Sequence, residues 1–177
     1  ARDLTGQRAN YCAIDWAIDR FLQSRCTPVS AISLREVTEA DVEVFYGYQR
    51  DPVAVAMAAV PAREKEAHRQ HWAKIQADET SINKTILFGD EVAGSIGSWV
   101  QDDKRLIGFW IGREHWGKGV ATSALGMFVD LLGERPLFAH VAKHNLGSIR
   151  VLEKCGFEAQ SEETGKDGVV ELLMRLD

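Results

Sequence analysis

The chain has 177 residues, 45% hydrophobic and 27% charged, enough for one globular domain that buries roughly 70% of its unfolded surface. A formal charge of −5 argues against a dedicated nucleic-acid binder, and no apolar run is long enough to span a bilayer. The three scattered cysteines, Cys12, Cys26 and Cys155, suit neither a disulfide framework nor a zinc site; with no secretory pattern at the start, the expected location is cytoplasmic.

In chain order, Tyr11, Ile14, Ala17, Ile18, Phe21 and Leu22 recur at helical spacing and predict an amphipathic helix within an N-terminal extension, residues 1–30. Thr27-Pro28-Val29-Ser30 closes it as a linker. Such an arm suits a homodimer contact or a cover over substrate, and equally a helix packed on its own domain. Residues 31–177 form the expected domain. Ala31 to Val37 alternates apolar and polar, as a half-buried strand does. Thr38 and Asp41 are spaced as a capping box for a helix that turns Val42, Val44, Phe45 and Tyr48 inward and ends near Asp51-Pro52. A second helix, about Arg63 to Ala77, sets Ala67, Gln70, His71, Lys74 and Ile75 on overlapping faces. His68 and His71 lie one turn apart on it, but without a third ligand they read as a solvated face, and no metal is expected.

Strands follow at Ile82–Phe88, Val92–Val100 and Lys104–Ile111, joined by turns at Gly89-Asp90-Glu91 and Gln101-Asp102-Asp103. The third strand runs into Trp116-Gly117-Lys118-Gly119 and then a helix, Gly119 to Leu132, with its apolar face at Val120, Ser123-Ala124, Met127-Phe128 and Leu131. Two glycines let the backbone approach a ligand closely, and the first turn of a helix leaves N–H groups unpaired, so this junction is a candidate anion cradle. It is neither a nucleoside triphosphate loop nor a dinucleotide fingerprint: Lys118 lies between the glycines, and Thr122 stands where a third glycine is needed. Pro136 to Val141 reads as a strand parallel to its predecessor across the helical crossover. Asn145 caps a helix ending at Cys155-Gly156, and Phe157–Gln160 pairs with Val169–Leu176.

Trp116-Gly117-Lys118-Gly119-Val120-Ala121-Thr122 is followed by Asn145-Leu146-Gly147-Ser148-Ile149-Arg150-Val151-Leu152-Glu153-Lys154-Cys155-Gly156-Phe157. The pair resembles the acetyl-CoA-binding core of the GNAT N-acetyltransferase superfamily, most of all the subgroup that includes ribosomal-protein N-terminal-alanine acetyltransferases. Leu34-Arg35 and Arg50-Asp51-Pro52 are similar to that subgroup too. The resemblance implies an α/β (α+β) fold, a mixed, mostly antiparallel twisted sheet with helices on both faces. It implies acetyl-CoA as cosubstrate and direct attack by a primary amine, either a protein N-terminus or a small-molecule amine. The pantetheine arm would pair with Phe109, Trp110 and Ile111, in the manner of an added strand. The pyrophosphate would lie on N–H groups of Trp116, Gly117, Lys118, Gly119, Val120 and Ala121. Asn145 would contact the cofactor arm, a role compatible with capping.

The chain departs from the family's pattern at several positions. The tyrosine that often protonates the leaving thiolate is Leu152 here, so the resemblance passes that role to Ser148. The glutamate that often serves as base is Leu106, and His115, His140, Asp102 and Glu114 remain open as bases, as do a water chain and an amine already neutral in a minor fraction. Glu114 also replaces the usual Gln or Arg that opens the pyrophosphate loop, and Ser123 a common Glu. Acceptor contacts are expected near Met57 to Pro61, at the Asp102-Asp103 turn and at Glu162 to Asp167. The missing tyrosine and glutamate keep a second reading in view, a non-catalytic acyl-CoA-binding sensor on the same fold.

Overall fold

The computed structural model describes residues 31–165 and 168–177. The predicted arm of residues 1–30 lies outside the described residues. The elements are β1 (Ile32–Glu36), α1 (Glu39–Tyr48), α2 (Pro52–Ala58), α3 (Lys65–Ala77), β2 (Ile82–Phe88), β3 (Glu91–Gln101), β4 (Lys104–Ile111), α4 (Val120–Leu132), β5 (Leu137–Ala142), α5 (Leu146–Lys154), β6 (Glu158–Thr164) and β7 (Val170–Leu176). A short 3₁₀ turn, Arg113–His115, joins β4 to the glycine loop. The seven strands form one sheet in the order β1-β2-β3-β4-β5-β7-β6. Every neighbouring pair is antiparallel except β4 and β5, as the helical crossover between them requires. The mixed, mostly antiparallel sheet expected from the sequence is the one present.

Helix α2 is an addition to the sequence reading. Asp51 caps it, its carboxylate accepting from the N–H of Val53 at 2.8 Å and of Ala54 at 3.1 Å, and Pro52 fills the first helical position, where no N–H is needed. The Asp-Pro pair that reads as the end of one helix is therefore also the start of another.

Three helix faces differ from their expected setting. On α4 the buried residues are Val120, Ala124, Leu125, Phe128 and Val129, while Met127 and Leu131 face outward at 42% and 52% exposure. Val44 likewise points out of α1, leaving Val42 and Phe45 inside. On α3 the inward residues are His68 and Trp72, not the charged face around Gln70 and Lys74. His68 is 1% exposed and its Nε2 lies 3.1 Å from the Val42 carbonyl, so the solvated reading of this histidine is overturned. Burial pushes its imidazole down, toward the neutral form, and does the same to His71. Among the described residues no group of three metal-ligating side chains forms.

The main core lies between the sheet and α4 and α5, where Ile86, Ile96, Ile107, Leu125, Phe128, Leu137, Leu152 and Met174 meet. A smaller cluster, Val42, Phe45 and Trp72, joins α1 to α3. Buried beside it, Asp41 accepts from both terminal nitrogens of Arg35 (2.5 and 2.8 Å), from Thr38 N–H (2.8 Å) and from Thr85 Oγ1 (2.8 Å). The expected capping acid thus also ties α1 to β1 and β2.

Candidate functional site

Strands β4 and β5 are paired at only two positions, Arg105 with Leu137 and Leu106 with Phe138. Beyond these the strands part, whereas β3 stays paired with β4 up to Ile111 and β7 with β5 up to Ala142. The backbone groups of Gly108 to Ile111 that face away from β3 therefore have no strand partner. A buried backbone without partners is costly, so such an opening is suited to a ligand that hydrogen-bonds like a strand. Close contact of β3 and β4 holds the wall in place: a Cβ on Gly94 would lie 2.0 Å from the Trp110 carbonyl oxygen, so only glycine fits.

The opening leads into a cavity of about 670 Å³, the size of a cofactor or substrate site. Gly108 to Ile111 form one wall and Ala139 to Ala142 the other. Trp116, Gly117 and Gly119 to Thr122 form its end, and Asn145, Ser148, Val151 and Leu152 of α5 its flank. Gly117 (φ +73°) and Gly119 (φ +79°) both take the left-handed conformation, which turns the chain sharply into α4. A Cβ at either would meet no atom within 4 Å, so the backbone here is bare to the cavity mouth. The first intrahelical bond of α4 runs from Ser123 N–H to the Gly119 carbonyl at 3.1 Å. The N–H groups of Val120, Ala121 and Thr122 thus lack an intrahelical acceptor and carry the positive end of the helix dipole. These donors, with no acidic residue in the first turn of α4, fit a pyrophosphate, and the unpaired strand fits an amide-bearing arm.

Ten of the eleven candidate residues line this cavity: Phe109, Trp110, Ile111, Trp116, Gly117, Gly119, Val120, Ala121, Asn145 and Ser148. Lys118 is the exception. Its ammonium sits 5.6 Å from the centre of the Phe88 ring, outside the cavity, so only its backbone is available to a ligand there. Trp116 donates its indole N–H to the Ile111 carbonyl at 2.9 Å, which occupies one of the strand acceptors offered to a ligand. Asn145 caps α5, its side-chain oxygen accepting from Ser148 N–H at 3.1 Å.

Of the acceptor segments, Met57, Ala58 and Val60 reach the cavity, held there by α2; the Ala56 carbonyl lies 2.9 Å from His144 Nε2 in the turn before α5. The Asp102-Asp103 turn does not line it, being at the opposite end of β4. Glu162 is engaged by Lys143 at 2.6 Å, and Lys166 and Asp167 lie outside the described residues. The cavity also takes in His140, Arg150, Lys154 and Glu171, of which only His140 drew notice in the sequence. Arg150 and Lys154 are one turn apart on α5, a spacing the sequence displays, whereas Glu171 reaches the site only through the pairing of β7 with β5.

Two reactive side chains nearby are held protonated. Burial first, then the charge of Glu114, raises the Tyr48 phenol to about 12, and its hydroxyl donates to the Val92 carbonyl at 2.5 Å. Burial also pushes the Cys155 thiol up; its Sγ lies 3.5 Å from the Thr122 carbonyl at the packed end of α5. Neither is poised as a nucleophile.

A family model for the acetyltransferase (GNAT) domain matches residues 32–158. An uncharacterized N-acetyltransferase, p20, of Bacillus licheniformis is 29% identical over 144 residues, 73% of this chain and 80% of the relative. The probable N-acetyltransferase YjcK of Bacillus subtilis (strain 168) is 41% identical over 102 residues, 55% of this chain and 53% of the relative, so the match spans about half of YjcK. Among solved structures, the aminoglycoside acetyltransferase AAC(6')-Ib in complex with coenzyme A superposes with a TM-score of 0.71 at 22% identity, covering 82% of this chain and 94% of that one. The spermidine N-acetyltransferase of Vibrio cholerae with CoA and spermine gives 0.72 at 16% identity and the same coverage. These two likenesses are of fold. None of these four relatives is named for ribosomal-protein acetylation, so that finer resemblance gains no support from them.

Proposed function

Because this chain belongs to the GNAT acetyltransferase family, we propose that its cavity binds acetyl-CoA along β4 and carries out direct acetyl transfer to a primary amine. The chain is an acetyl-CoA-dependent N-acetyltransferase by family; the cofactor's placement and the acceptor are this reading's own. One observation carries it, the parting of β4 from β5 after Leu106 and Phe138, directly upstream of a bare, glycine-lined helix start.

Acetyl-CoA brings the activated acetyl thioester. The chain supplies the rest. N–H groups from Gly117 to Ala121 hold the pyrophosphate, the Trp116 N–H being already given to the Arg113 carbonyl at 3.1 Å. The backbone of Phe109 to Ile111 that faces away from β3 orients the arm. Holding amine and thioester in one cleft accounts for several kcal/mol of barrier, about 7 or more in favourable cases. A strand N–H aimed at the carbonyl oxygen stabilises charge as it develops. Ser148, on the cavity flank beside Asn145, gives the departing sulfur its proton. The acceptor is a protein N-terminus or a small-molecule amine, entering past Met57, Ala58 and Val60.

The test pairs thermal unfolding with coenzyme A and release of free thiol from acetyl-CoA across a library of amines. Stabilisation by coenzyme A together with amine-dependent thiol release is expected. Stabilisation without release from any amine favours the sensor, a reading the buried Leu106 and Leu152 at the family's catalytic positions keep open. No stabilisation removes both.

A further inference from the structure

We infer that His140, backed by Glu171, is the base that takes the proton from the acceptor ammonium. This inference rests on the acetyl-transfer reading and adds the group that reading leaves unnamed.

The structure separates the four bases the sequence leaves open. Asp102 sits in the β3–β4 turn, about 25 Å along β4 from Ile111. Glu114 is exposed and is not on the cavity wall. His115 does touch the cavity, but it is 4% exposed and lies edge-on to Tyr48 and Phe88, with ring centres 6.4 and 5.9 Å away. Its Nδ1 is buried without a hydrogen-bond partner, so no carboxylate backs that nitrogen.

His140 is the remaining one. It stands on β5 across the opening from β4, on the cavity wall, with its side chain 39% exposed. Its Nδ1 is 3.9 Å from Glu171 Oε2, and Glu171 lines the same cavity from β7. Ala142 pairs with Glu171 and His140 with Leu173, which puts imidazole and carboxylate on one face of the sheet. With Nδ1 turned to Glu171, Nε2 is the nitrogen left for the amine. Among the described residues Glu171 is the only carboxylate on the cavity wall; the other charged or titratable groups there are His115, and Arg150 and Lys154 of α5. On the side of α2 the wall is apolar (Ala54, Met57, Ala58).

An imidazole changes charge between pH 5 and 8, and a carboxylate beside it stabilises the imidazolium that forms. An N–H bond of the ammonium breaks, Nε2 takes the proton, and the nitrogen keeps the electron pair with which it attacks. Over the whole transfer the nitrogen loses two protons. One goes to His140 and on to solvent, and the other is matched by the proton that the sulfur gains as it leaves as the thiol.

The full chain is tested as His140→Gln, Glu171→Gln and the double variant, with the amine that releases thiol fastest in the library. H140Q is expected to lose about 10²–10³-fold in kcat at pH 7. Its unfolding shift with coenzyme A stays that of the wild type. The deficit shrinks about tenfold per pH unit as free amine supplies what the base did. E171Q is expected to lower kcat at pH 7 while His140 is present and to add nothing to the loss in H140Q, a coupling that loss of packing alone does not give. An H140Q enzyme with the wild-type rate and profile overturns the inference, as does a double variant slower than H140Q by the full E171Q factor. Absence of thiol release by the wild type with every amine is a different result, which removes the acetyl-transfer reading beneath it.

Discussion

Asp41 is 2% exposed, and burial by itself raises a carboxyl. The Arg35 guanidinium and the hydrogen bonds from Thr38 and Thr85 outweigh that and hold it well below the usual carboxylate range. A carboxyl depressed in the folded state adds stability above its unfolded pKa, about 4, and loses it as pH falls through the folded value. Asp41→Asn is therefore expected to cost about 2–3 kcal/mol at pH 7, less than a wholly buried pair because Arg35 is partly exposed. The gap to wild type narrows below pH 4; urea midpoints at pH 7 and pH 3 measure it. Ser148 has a different signature. Its backbone N–H serves the Asn145 cap, a bond in which the hydroxyl has no part. Ser148→Ala should lower kcat about 10²-fold with little change in the KM for acetyl-CoA, by steady-state kinetics. An unchanged kcat assigns Ser148 to the helix turn alone. Asn145 and the loop glycines could be picked out from the sequence, because each belongs to a short motif whose spacing the chain itself fixes, and Ser148 comes from the family resemblance that those motifs carry. Glu171 could not, since its neighbour His140 is 31 positions away and only strand pairing joins them.

At the scale of elements, the glycine loop and α4 act as one unit. A left-handed residue other than glycine costs about 1–2 kcal/mol, and here the strain would fall where the N–H groups are aimed. Gly119→Ala is expected to lower stability by about 1 kcal/mol and to weaken coenzyme A binding beyond that loss. Calorimetric titration beside thermal unfolding separates the two; equal affinity with lower stability would mean the loop does not hold the phosphates. The rotated face of α4 has a plain cause. Val120, Ala124 and Phe128 mark one apolar row and Leu125 and Val129 the next, while Met127 and Leu131 belong to a competing row that periodicity alone ranks equally. Which row turns inward depends on where the sheet lies. The same holds for α3, whose charge-rich sequence hides the inward pair His68 and Trp72, and for α2, short enough to read as a loop.

For the molecule as a whole, residues 31–177 contain the sheet, both core clusters and every described residue of the cavity wall. A chain begun at Ala31 is therefore expected to fold and to gain about 2.7 kcal/mol from coenzyme A at a hundred times its Kd, a rise of about 5 °C or more in Tm. Loss of that gain on removing residues 1–30 would assign the arm a part in the site. No helix among the described residues is long and apolar enough to cross a membrane. By itself the sequence determined the order of the strands and the longer helices, the turn positions and the glycine loop, because these follow from periodicity, caps and glycines within a few residues of one another. Only the tertiary structure decided where β4 and β5 part, which helix faces turn inward, and which of four separated side chains stands beside a carboxylate on the cavity wall. Those depend on pairings between residues far apart in the chain, and local pattern carries no record of them.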